Sequence, residues 1–174
     1  TQAFYHRTAF VGLQDLALAA TVCSPMAYEV SDDEALYFIL PLHGEADASS
    51  QKKSFLSSPA LGAALTPGHA RKGSMGEMSM VQATLDPTRF KATAQTMLGE
   101  TCRPLIEDRL QGPSVLPMCA GQLRFDHLFS TLCKTIDDCG MQAGTLNALG
   151  FDDVAVKHKT HSVGHLAHDG SSWG

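Results

Sequence analysis

With 174 residues the chain has room for one domain, or one domain carrying a helical appendage, and it is long enough to bury a hydrophobic core. Its 44% hydrophobic and 18% charged residues fit a globular protein and exclude a disordered one. A formal net charge of −5 leaves no cationic excess to neutralise phosphates, so this segment by itself is not expected to bind nucleic acid.

The longest apolar run, Ala35 to Leu42, is far shorter than the roughly 20 residues of a spanning helix, and the amino-terminal stretch lacks a basic region followed by an apolar one. A cytoplasmic protein off the membrane is expected, with a start at Thr1 that has been trimmed. The five cysteines, Cys23, Cys102, Cys119, Cys133 and Cys139, are odd in number and contain no C-x-x-C pair. They predict reduced thiols rather than a disulfide framework or a zinc knuckle.

In chain order, the first strand expected is Ala35 to Leu42, rich in aromatic and β-branched residues and stopped by His43-Gly44. Its apolar residues run nearly unbroken, so either face could point inward. A polar hairpin-like stretch, Glu45 to Lys53, leads through Ser54–Pro59 to a strand at Leu61–Leu65, and Thr66-Pro67-Gly68 predicts a type II turn. Met78 to Leu85 alternates as a further strand, and Met75, Met78 and Met80 suit either a core or the wall of an adaptable pocket.

The pattern then changes. Asp86-Pro87 is a helix start and Gly99 its stop, with Phe90, Ala94, Met97 and Leu98 on one face. A loop with Pro104, Gly112, Pro113 and Pro117 precedes a second predicted helix, Leu123 to Ile136. Its residues Phe125, Leu128, Phe129, Leu132, Cys133 and Ile136 fall at the spacing of an amphipathic face. A third short helical stretch, Thr145 to Leu149, comes before Gly150. Strands first and helices afterwards is the α+β order.

This layout resembles the cupin-like regulatory half of AraC-type transcription regulators. Leu36-Tyr37-Phe38-Ile39-Leu40-Pro41-Leu42-His43-Gly44 is similar to that family's early barrel strand, and Leu65-Thr66-Pro67-Gly68 to the turn after which its chain re-enters the barrel. Leu85-Asp86-Pro87-Thr88-Arg89-Phe90 through Leu98-Gly99 resembles the helix after the barrel, and Leu146 to Asp153 the segment before the interdomain linker. The resemblance covers residues 5 to 156 in order and spacing.

It implies a cupin-like β-barrel or sandwich at 1–86, a helical dimerisation appendage at 87–156 and a tail at 157–174. It further implies a small-molecule effector inside the barrel, touched by Tyr37, Ile39, His69 and Arg71, an acidic ligand suiting Arg71 and Lys72. A homodimer contact through Phe125, Leu128, Phe129, Leu132 and Ile136 follows as well. The family continues into a unit with two helix-turn-helix motifs, whereas Val156-Lys157-His158-Lys159 here runs into a Gly/Ser end. Contact with DNA is therefore expected only through a missing C-terminal domain.

No covalent chemistry and no cofactor or metal are expected. Catalytic cupins converge two His and a Glu on one strand with a later His on one metal ion, and here only His43, Glu45 and His69 stand near those positions, without an H-x-H pair. A cupin-type metal enzyme using these three is the alternative, and an interaction module that inhibits full-length regulators is another. The tail histidines His158, His161, His165 and His168 have partial helical spacing, but Gly164 and Gly170 favour a polar frayed end over a zinc site. The sequence contains no G-x-S-x-G elbow, P-loop, Rossmann glycine pattern or H-E-x-x-H.

Overall fold

The computed structural model describes residues 3–12, 16–50, 53–116, 119–120 and 123–124, together with Thr131 and Lys134. Nine strands come first: β1 His6–Gly12, β2 Leu16–Cys23, β3 Met26–Val30, β4 Leu36–His43 and β5 Ala46–Ser50, then β6 Lys53–Ser57, β7 Ala63–Pro67, β8 Arg71–Met75 and β9 Met78–Leu85. Helix α1, Pro87–Leu98, a 3-10 turn at Glu100–Cys102 and helix α2, Arg103–Arg109, follow. Three short strands come next, β10 Ser114–Leu116, β11 Cys119–Ala120 and β12 Leu123–Arg124.

The strands form a six-stranded sheet in the order β1-β2-β9-β4-β7-β10 and a four-stranded sheet in the order β3-β8-β5-β6, with every pairing antiparallel. Two antiparallel sheets forming a sandwich, followed by two helices, is the α+β architecture expected.

Strand β4, whose phase the sequence leaves open, is phased by the helix. Leu36, Phe38 and Leu40 are buried and join Leu18, Leu65 and Val81 with Phe90 of α1 in one hydrophobic cluster. The alternate residues Tyr37 and Ile39 lie on the sheet's other face, which looks into the sandwich. The main core thus sits between the six-stranded sheet and α1. Phe90 and Ala94 are 1% and 0% exposed, whereas Met97, expected on the same face, is 42% exposed. The helix is twelve residues long, and its buried residues, Phe90 and Ala94, fall within its first eight.

The caps of α1 stand where Asp86 and Gly99 predict them. The Asp86 carboxylate accepts from the Arg89 amide at 2.8 Å, and Gly99 takes a left-handed φ of 82° while its amide donates to the Gln95 carbonyl.

Several expectations give way. Strands β1, β2 and β3 fill a region in which no element was expected, because Ala-rich β2 carries only a weak alternating signal. The stretch Glu45 to Lys53, by contrast, is hairpin-like as expected, with β5 pairing antiparallel with β6 up to Ser50 and Lys53. The loop expected around Pro104 is helix α2, since proline in a first turn removes no hydrogen bond. Beyond Gly112-Pro113, β10 pairs with β7 and brings Leu116 into the main cluster. Leu123 and Arg124, the expected start of the second helix, pair instead with Cys119 and Ala120. Farther along that expected helix, Thr131 and Lys134 are helical and exposed, while the five expected dimer residues, the stretch 145–149 and the tail histidines lie outside the described residues.

The turn at Pro67-Gly68 also differs. Gly68 does not take the positive φ of a type II turn. Pro67 closes β7 by pairing with Leu36, and Gly68 is clasped by the loop before β4. The Asp33 amide donates to the Gly68 carbonyl at 2.7 Å, and the Gly68 amide donates to the Ala35 carbonyl at 2.8 Å. A Cβ at Gly68 would fall 2.6 Å from the Asp33 carbonyl oxygen, so glycine is required for close approach rather than for its φ.

Phe90→Ala is expected to destabilise the protein by about 3–5 kcal/mol, read as a lower urea midpoint. Asp47 ties β5 to β8 through the Ser74 amide at 3.0 Å and the Ser74 hydroxyl. These bonds to Ser74 hold its carboxyl below the ordinary 3.8. The folded value is the lower one, so their contribution is present above pH 3.8 and is lost as the pH falls further. The Tm gap between the protein and Asp47→Ala should therefore be full at pH 7 and close in strong acid.

Candidate ligand cavity between the sheets

The inner face of the four-stranded sheet is laid out in rows by its register. At one end Val30 pairs with Arg71; in the middle the row runs Tyr28, Gly73, Ala48, Phe55; at the other end it runs Met26, Met75, Ala46, Ser57. The middle row sets its two aromatic residues at the flanks and its two smallest residues between them. Across the gap, β4 and β9 contribute Ile39, Met78, Met80 and Gln82. A cavity of about 200 Å³ lies between these faces, and Arg71, Tyr28, Phe55, Ser57 and Met75 line it as well.

The two ends differ in character. At the first, Arg71 is a buried cation, 7% exposed, and its guanidinium sits 4.8 Å from the centroid of the Tyr37 ring. The Tyr37 hydroxyl donates to the Asp33 carboxylate. Burial, first, and the bond to Asp33, second, push the Tyr37 hydroxyl up to about 12. Asp33 also accepts from the Ala35 amide at 2.9 Å, and Asp32 accepts from the Ala70 amide, so the loop before β4 is fastened to the residue beside Arg71.

At the second end, Met26, Met75 and Met80 pack on Cys23, Ala46 and Met78. Burial pushes the Cys23 thiol up, toward its neutral form. Ser57 is 4% exposed, and its hydroxyl has no hydrogen-bond partner.

Of the residues expected to touch an effector, Ile39 and Arg71 line the cavity. Tyr37 supports Arg71 from beneath, and His69 stands half-buried in the turn before β8, with its carbonyl 3.5 Å from an Arg71 nitrogen. Lys72 is exposed on the opposite face of the strand from Arg71. Met75, Met78 and Met80 are at once packed and cavity-lining. Tyr28, Phe55 and Ser57 were not singled out, since their convergence depends on the register of strands far apart in sequence. Among the described residues, His43, Glu45 and His69 form no metal-ligating group, and no other three His, Cys, Asp or Glu side chains do so.

No protein-family model matches the chain, and no curated protein matches it significantly. Among solved structures it is similar to the AraC-like transcriptional activator CuxR, with a TM-score of 0.60 and 14% identity over 94% of this chain and 56% of that one. The chain therefore spans little more than half the length of that protein. It also aligns with a cupin superfamily protein from Desulfitobacterium hafniense DCB-2 (16% identity, 48% of this chain and 77% of that, TM-score 0.38). A third match is the cupin domain of an XRE family transcriptional regulator from Enterobacter cloacae (11% identity, 48% and 96%, TM-score 0.39). The fold is cupin-like, and the likeness to the AraC-like activator is one of fold. No helix among the described residues is long and apolar enough to cross a membrane.

Tyr37 gives this end of the cavity a pH signature. Its folded value lies above the ordinary 10, so its stabilising contribution is fully present below pH 10 and is lost as the pH rises through about 12. Urea midpoints measured from pH 8 upward should fall for the protein above pH 10 and fall less steeply for Tyr37→Phe.

Proposed function

We propose that this chain is the regulatory domain of an AraC-type transcription regulator, a non-enzymatic cytoplasmic sensor that binds a small molecule inside its sandwich and dimerises. The observation that carries the reading is the cavity itself, apolar along its walls with a few convergent polar groups, Arg71, Ser57 and Gln82, aimed into it. The scattered placement of His43, Glu45 and His69 gives the alternative of a cupin-type metal enzyme no comparable support.

In this reading DNA is bound by a separate helix-turn-helix domain. The solved activator that shares the fold is the longer protein, which fits a regulatory half joined to a DNA reader. Ligand binding acts by shifting the population of domain arrangements, which requires unequal affinity for the two states. Dimerisation runs through the amphipathic stretch carrying Phe125, Leu128, Phe129, Leu132 and Ile136.

Light scattering should give twice the 18.6 kDa chain mass at micromolar concentration, and Phe129→Glu should halve it. A monomer would remove the dimerisation half of the reading. A thermal-shift screen of sugars, amino acids, nucleosides and organic acids should find compounds that raise Tm by several degrees, with the gain lost in Ala46→Leu, which enlarges a side chain in the cavity wall. A screen without any such compound would overturn the sensor half, as would near-stoichiometric iron, zinc or manganese accompanied by turnover.

A further inference from the structure

Resting on the sensor reading above, we infer that the cavity takes a small organic monocarboxylate, its carboxylate paired with Arg71 and its apolar body lying between Tyr28 and Phe55 toward the methionine end.

The argument begins with an uncompensated charge. Arg71 is 93% removed from solvent, yet among the described residues no carboxylate stands within ion-pair distance of it. Its contacts are the face of Tyr37 and one long 3.5 Å approach to the His69 carbonyl, which leaves most of its five N–H donors unmet. A buried cation without a counter-ion is costly, and removing one partner of such a pair costs several kcal/mol for the same reason. The charge is held in place nonetheless, by Tyr37 below it and by the Asp33 and Asp32 loop bonds that fix its surroundings. A rigid planar fork facing an open cavity matches the two oxygens of a carboxylate.

The size and the remaining walls narrow the class. At about 200 Å³ the cavity falls below the pockets of drug-sized ligands, roughly 300–1,000 Å³, and equals about six or seven waters at liquid density. Among the described residues Arg71 is the one Arg or Lys lining it, since Lys72 points to the other face and His6 at the rim is exposed. One guanidinium suits a single negative charge better than a phosphate dianion. Arg71 and Met75 are four residues apart on one strand, about 13 Å, and the interval is floored by Gly73 and Ala48 and walled by aromatic and methionine side chains. At the far end waits the Ser57 hydroxyl, 4% exposed and without a partner. It can bond a terminal hydroxyl of a ligand that spans the cavity.

The test is calorimetric titration of the full chain with hexanoate, hexanamide, 6-hydroxyhexanoate and inorganic phosphate. Hexanoate should bind about 10- to 100-fold more tightly than hexanamide, the interval expected of charge-assisted hydrogen bonds. Arg71→Met should erase that difference, and Arg71→Lys should retain part of it because the charge stays and the fork is lost. 6-Hydroxyhexanoate should bind more tightly than hexanoate to the protein and no more tightly to Ser57→Ala. Equal affinity for hexanoate and hexanamide in the unsubstituted protein would overturn the carboxylate inference without any variant having to fold, and so would tighter binding of phosphate. Either result leaves the sensor reading standing, whereas a screen with no compound bound in the cavity overturns both.

Discussion

The six-stranded sheet is apolar on its outer face and mixed on its inner one, and each face is covered by something different. On the outer face Phe90 of α1 joins residues of β1, β2, β4, β7, β9 and β10 in the largest hydrophobic cluster of the described chain. That contact sets the phase of β4, places Leu36, Phe38 and Leu40 outward and turns Tyr37 and Ile39 inward. Once the outer face carries the core, the space between the sheets does not have to be filled to hold the protein together. A cavity is a defect in an ordinary core, where it costs stability in proportion to its volume. Here the strands around it are already anchored from the other side.

The polar features of the interior follow from that division. A guanidinium and an unbonded hydroxyl are tolerated between the sheets because neither interrupts the main cluster. The four-stranded sheet is the more polar of the two, with Ser50 donating to the Ala70 carbonyl at 2.9 Å and Asp47 bound to Ser74 across the β5–β8 pairing. Its inner surface sets the small residues Gly73 and Ala48 between the aromatic Tyr28 and Phe55. The cavity is therefore a product of register, and no single residue creates it.

What the sequence shows and what it hides divide along the same line. Local signals are legible: Asp86-Pro87 and Gly99 bound α1 where the caps stand, and Met78–Leu85 is a strand over its full length. The order of elements also suffices for the α+β class. What stays hidden is non-local. The inward phase of β4 depends on Phe90, 50 residues downstream of Leu40. Tyr28, Phe55 and Ser57 meet only because β3, β8, β5 and β6 pair out of chain order. Strand β2 escapes notice because alanine and threonine give weak alternation, and α2 because Pro104 reads as a breaker away from its first-turn position. Arg71 could be singled out by its place beside the Pro67-Gly68 turn, but its isolation from any carboxylate could not.

The loop before β4 and the turn before β8 are stitched by reciprocal backbone bonds, Asp33 to Gly68 and Gly68 to Ala35, and by carboxylates that hold Ala70 and Tyr37. At the opposite end the backbone is tied as well, Ser24 to Tyr5 and Gly76 to Glu45, but the interior there is filled by four methionines, each unbranched and with several rotatable bonds. In mechanical terms the interior has one stiff wall and one compliant wall. Anything wedged between them is accommodated first by rotamer changes among the methionines, while the bonded arginine end keeps its shape.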